Sequence, residues 1–125
     1  MAGRKPQQLR IVGVTALAPL RAGLTALADP VRLRLFLLLR GREQCICHLT
    51  EALGLSQGTV SHHMSVLKSA GLVRDRRDPK DARWTYYRLD PAGVRALREA
   101  LNNLLDIPQV DPRPAHCGED TEAKL

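Results

Sequence analysis

A mainly α domain of the α+β class, about five helices with one late β-hairpin, is what this chain of 125 residues predicts. Three observations carry the expectation. Apolar side chains recur at helical spacing in several separate segments. Gly54-Leu55-Ser56 joins two of the shorter ones as a tight turn that ends in a capping hydroxyl. A cation-rich pair of strand-like runs follows directly. Two helices across a tight turn, then a basic hairpin, make a winged helix-turn-helix.

The elements follow in order. Residues 1–10 read as a loose basic arm, after which Leu17, Leu20, Leu24 and Leu27 line one side of a helix. Asp29-Pro30 is a cap followed by proline at the first helical position, opening a second helix. Its run Val31 to Leu39 is apolar nearly all round and predicts the buried centre. Gly41 is placed to close it in a left-handed conformation. A third, short helix is expected from near Gln44 through Leu49 and Leu53, and a fourth from Ser56 to Ala70-Gly71. Residues 72–77 and 83–89, the second run rich in Trp84, Thr85, Tyr86 and Tyr87, form a hairpin through Asp78-Pro79-Lys80-Asp81. Asp90-Pro91 repeats the cap-plus-proline entry, and Val94, Leu97, Leu101, Leu104 and Leu105 mark one face of the last helix. Pro108, Pro112 and Pro114 end the regular pattern. The expected organisation is an arm over 1–10, one domain over 11–106, and a flexible tail over 107–125 that carries Cys117.

Composition narrows the function. The length fits one small domain, and a formal charge of +6 with pI near 9.8 favours an anionic partner, nucleic acid above all. No apolar stretch approaches the roughly 20 residues of a membrane span. Ala26-Leu27-Ala28 mimics a signal cleavage site, but Arg21 and Pro19 spoil that reading. Three cysteines leave one unpaired in any disulfide scheme, which fits a reducing cytoplasm. There is no internal repeat and no Gly-rich phosphate loop. A thiol oxidoreductase built on Cys45 and Cys47 lacks the βαβ context and the two-residue spacer of such motifs. The expectation is therefore a protein that is not an enzyme.

The fourth helix carries the DNA-reading face. With Val60 as the inward direction, Met64 and Leu67 point the same way, while Gly58, His62, Ser65 and Ser69 point outward. That face is small, polar and rich in hydrogen-bonding groups, which suits the major groove. Ser56 caps the helix. Ser56, Gln57, Thr59, Ser61 and His62 are the expected DNA contacts, joined by His63 on the flank of the apolar side. Arg76, Arg77, Lys80 and Arg83 gather about the hairpin tip, where cations anchor phosphates without reading sequence. Trp84, Tyr86 and Tyr87 are expected to pack across strands rather than stack on bases.

Cys45 and Cys47 lie at the start of the third helix. Thiolates select soft acceptors, and a helix N-terminus makes them available near neutral pH. The one-residue spacer argues against an unstrained disulfide. On a regular helix, residues two apart point about 200° away from one another, so gripping one ion would require an unwound first turn.

Residues ALADPVRLRLFLLL, CICHL, LGLSQGTVSHHMSVLKSAGLV and WTYYRL, taken together, resemble the ArsR/SmtB family of winged-helix repressors over roughly residues 17–105. The resemblance implies a homodimer assembled through the first and last helices. It also implies an inverted-repeat operator, with recognition helices about 34 Å apart. Cys-x-Cys in the third helix is similar to the arsenic-sensing branch, in which trivalent arsenic takes three thiolates. The implied effector is arsenite or antimonite, held by Cys45, Cys47 and a third ligand. Thr50 stands where that branch can supply the third cysteine, so Cys117, from the same subunit or its mate, takes that place, with His48 or solvent behind it. The branch that uses Asp and His on the last helix is not matched, because Pro91 to Asp106 holds no histidine. Sensing of cadmium, lead, mercury or thiol oxidation by the same cysteines is the alternative within the class. A winged-helix protein-interaction module is the alternative outside it.

Overall fold

The computed structural model describes residues 17–118. The expected basic arm, residues 11–16 of the expected domain and the last seven residues of the tail lie outside them. Five helices and three strands are described: α1 Leu17–Ala28, α2 Pro30–Leu38, β1 Gln44–Cys45, α3 Ile46–Leu53, α4 Gln57–Ser69, β2 Val73–Arg77, β3 Thr85–Leu89 and α5 Pro91–Leu105.

The helix starts are set by the residues that the sequence nominates. Asp29 accepts from the backbone N–H of Val31 at 2.8 Å and of Arg32 at 3.1 Å, with Pro30 at the first helical position. Ser56 accepts from Thr59 N–H at 3.2 Å, and Asp90 from Ala92 N–H at 3.1 Å. Gly54 and Gly71 end α3 and α4 at φ +67° and +80°, a region that favours glycine.

These caps carry a pH prediction. Backbone N–H bonding, foremost from Arg32, holds the Asp29 carboxyl below its usual pKa, and the Arg74 guanidinium does the same for Asp90. A carboxyl lowered on folding contributes stability that is complete above the unfolded pKa of about 4 and is lost as pH falls through the folded value. Urea midpoints are therefore expected to drop between pH 5 and pH 3, and less steeply in Asp29→Asn, which keeps a capping oxygen.

The core gathers Leu35, Leu49, Val60, Met64, Leu67 and Leu72, all fully buried. Each such side chain contributes about 1.5–3 kcal/mol by leaving water. The three inward residues of α4 are thus all core, which fixes the rotation of that helix and turns Gly58, His62, Ser65 and Ser69 to solvent.

Four expectations are corrected. The run Val31–Leu39 is not buried throughout: Leu35 and Leu39 are, but Leu33 and Leu37 are exposed, because α2 meets α1 and α4 on one side only. Gly41 is not among the left-handed glycines, and α2 ends instead on Leu39 in the right-handed region. The third helix starts at Ile46 rather than near Gln44, because Gln44 and Cys45 form a strand that pairs antiparallel with β3. The sheet order is β1-β3-β2, so the hairpin wing carries a third strand at its base. Tyr87 is buried and Tyr86 half-buried, as cross-strand packing requires, whereas Trp84 is exposed at the tip.

Candidate nucleic-acid interface and cysteine site

The sequence-nominated DNA contacts fall into two groups. Gln57, Thr59, Ser61 and His62 are exposed on the outward side of α4. Gln57 and Ser61 face the wing across a cleft of about 460 Å³, also lined by Arg76, Arg77 and Arg83. This is a concave, cationic surface between a recognition helix and a hairpin. Ser56 is turned to local work, its hydroxyl donating to Thr59 Oγ1 at 2.9 Å.

His63 points elsewhere. Arg32 Nη1 donates to its Nδ1 at 3.1 Å, while Arg32 Nε donates to the Ala26 carbonyl at 2.7 Å. A guanidinium only donates, so Nδ1 is the acceptor in this contact. His63 thus ties α4 to the junction of α1 and α2 and helps to orient the helix.

The wing cations differ among themselves. Arg77 Nη1 donates to the Ala82 carbonyl at 2.8 Å and closes the turn. Arg83 is paired with Asp81 at 2.7 Å, and this pair holds the Asp81 carboxyl below its usual range. Lys80 is exposed. Arg76 is clamped by Glu43, whose carboxylate accepts from Nε at 3.0 Å and from Nη2 at 2.7 Å, and its guanidinium lies 4.6 Å from the centroid of the Tyr86 ring. Glu43 is the residue that sequence reading missed. Its partner lies far away in the chain, and no local spacing marks it.

The cysteine pair is closer than a regular helix allows. Cys45 sits at the N-cap of α3 with extended backbone, φ −67° and ψ 145°, and its sulfur accepts from Cys47 N–H at 3.2 Å. Its Cα lies 5.2 Å from that of Cys47, and the two sulfurs are joined as a disulfide. One expected obstacle is corrected: no turn has to unwind to bring the sulfurs together. The strand conformation of Cys45 does that, because only Cys47 lies inside the helix. Cys47 is exposed and Cys45 half-buried.

A third donor is not gathered with them. Among the described residues no cluster of three or more His, Cys, Asp or Glu suits a metal ion. Cys117 is a free, exposed thiol in the irregular segment after α5. Thr50 Oγ1 donates to the Cys47 carbonyl at 2.8 Å, and His48 is exposed.

The sequence model of bacterial regulatory proteins of the arsR family matches residues 29–75, from the α2 cap to the second residue past Val73 in the wing. An arsenic resistance transcriptional regulator of Pseudomonas putida is 42% identical over 84 residues, which are 66% of this chain and 63% of that one. A second such regulator of the same organism is 34% identical over 102 residues, covering 71% of this chain and 86% of that one. The chain belongs to the arsR family.

A homologue of the transcriptional repressor SmtB from Synechocystis is 41% identical over 81 residues, 64% of this chain and 59% of that one. The arsR family likeness therefore extends to more than one of its branches. The chain spans about three fifths of the length of the first P. putida regulator and of the SmtB homologue. The family consists of helix-turn-helix regulators of transcription, which catalyse no reaction. No helix among the described residues is long and apolar enough to cross a membrane.

Proposed function

We propose that the protein is a cytoplasmic, homodimeric repressor that holds an inverted-repeat operator and leaves it when trivalent arsenic or antimony binds its cysteines. One observation carries the reading: Cys45 and Cys47 bring their sulfurs together at the N-terminus of α3, the helix that braces α4 across the Gly54-Leu55-Ser56 turn. In the reduced form, two adjacent thiolates there match a soft, thiophilic acceptor. Each thiol that binds arsenite displaces one hydroxyl as water. Cys117, from the same or the second subunit, supplies the third thiolate.

Gln57, Thr59, Ser61 and His62 read base edges, and Ser56 and His63 set the helix that carries them. Arg77, Lys80 and Arg83 contact phosphate, as does Arg76 once it is released from Glu43. Leu17 and Leu24 on α1 and Leu104 and Leu105 on α5 are 42–67% exposed, which supports a second copy covering these helices. Residues 1–10 act as a basic arm and 107–125 as the tail that brings Cys117 to the site.

The test is a titration of the reduced protein bound to a duplex selected from a random library. Arsenite is expected to raise near-ultraviolet absorbance through sulfur–arsenic bonds and to release the duplex over the same range. Absorbance without release would leave a thiol site that regulates nothing. A second reading, release by thiol oxidation, is favoured by the joined sulfurs in the structure. It predicts release by a mild oxidant and rebinding on addition of dithiothreitol, with no arsenite present.

A further inference from the structure

The three strands place one row of residues side by side: Cys45 pairs with Tyr86, and Tyr86 pairs with Arg76. Glu43, directly before β1, reaches over this row and takes the Arg76 fork with both carboxylate oxygens, at 2.7 and 3.0 Å. Arg76 lies against the Tyr86 ring, and the Tyr86 hydroxyl donates to Asp78 Oδ2 at 3.3 Å, in the loop that forms the wing tip. The cysteine strand and the wing are therefore linked through one ion pair and one ring. Arg76 also lines the cleft that Gln57 and Ser61 face.

A guanidinium fork fits a carboxylate and a phosphate by the same two parallel N–H bonds, so it serves one of them at a time. We propose that Glu43 is an internal competitor for the arginine that DNA phosphate would take, and that its place beside Cys45 lets the cysteine site set the grip. The second half rests on the effector reading above. In the DNA complex, Arg76 leaves Glu43 for a phosphate. With the thiolates captured, β1 is held against β3 and the carboxylate keeps Arg76 out of the groove.

Glu43→Gln, Arg76→Gln and the double variant test this by duplex binding across a salt series, with and without arsenite, using the duplex selected on the wild type. Loss of the competitor is expected to tighten binding by roughly two- to fivefold, the scale of an exposed ion pair. The salt dependence is expected to stay close to that of the wild type, because Arg76 makes the same phosphate contact in both complexes. A merely structural ion pair would weaken binding when broken, so the direction decides. Arg76→Gln is expected to weaken binding and flatten the slope by about one, and adding Glu43→Gln to it changes nothing further. With arsenite, Glu43→Gln is expected to show the wild-type absorbance change but a release factor reduced by a similar two- to fivefold.

Wild-type affinity in Glu43→Gln, or additivity in the double variant, would overturn the competitor. An unchanged release factor would overturn its link to the cysteines. If arsenite fails to release the wild type, the effector reading fails, and the affinities of the single and double variants without arsenite still decide the competitor. If no duplex is bound, both fall.

Discussion

Gly93→Ala is expected to lower the free energy of unfolding by about 3 kcal/mol, the upper part of the usual range for overpacking. A methyl group there would fall on the carbonyl oxygen of Gly71, and both partners are backbone, so neither has a rotamer to change. The better helix propensity of alanine offsets only about 1 kcal/mol of that cost. Gly71 is the left-handed residue that ends α4, and Gly93 lies in the first turn of α5. The contact thus fixes the angle between the recognition helix and the last helix, and the variant is expected to lose duplex affinity along with stability. Gly58→Ala is the control. It is a helical glycine with nothing within 4 Å of the added methyl. It is expected to gain about 0.5–1 kcal/mol, and to lose duplex affinity only if α4 presses that face into the groove. Urea unfolding measures both; equal midpoints for the two variants would show that α5 shifts freely on α4.

Cys45→Ser and Cys47→Ser are each expected to raise the arsenite concentration needed for half-release by roughly 100-fold, the equivalent of about 2.8 kcal/mol. A hydroxyl is a hard donor and a poor ligand for arsenic. Moving a repressor from 1:99 to 99:1 takes about 5.5 kcal/mol of differential affinity, so losing half of it leaves the operator about half occupied at saturating effector. Cys45→Ser is the cleaner of the two. Cys45 is the N-cap of α3, and serine is among the preferred residues there, so fold and duplex affinity should be retained while the response goes. A full arsenite response in Cys45→Ser would remove the assignment. Cys117→Ser separates the third ligand: a response reduced like the others places that thiolate on the ion, and an unchanged one leaves the pair to act with solvent.

The legibility of the fold varied from one element to the next. Asp29, Ser56 and Asp90 cap the helices that their sequence neighbours announce, and Val60, Met64 and Leu67 are buried in the register that their spacing sets. The hairpin from Val73 to Leu89 follows the turn residues between its strands. At the candidate site, the outward residues of α4 and the cysteine pair were readable by type and position. The conformation of Cys45, the partner of Arg76 and the inward turn of His63 were not.

The division has a physical cause. Caps, left-handed glycines and apolar periodicity act between residues a few places apart, so local order along the chain was enough to set the helices, the turn between α3 and α4 and the solvent face of α4. Pairing of Gln44 with Tyr87 and of Glu43 with Arg76 joins segments that meet only after the chain has closed on itself. Only that closure decided that Cys45 is extended, that its sulfur reaches Cys47, and that Leu33 and Leu37 remain at the surface of an apolar helix. Hydrogen-bonding capacity is written in each residue, but which distant group satisfies it is settled by the packing of the whole.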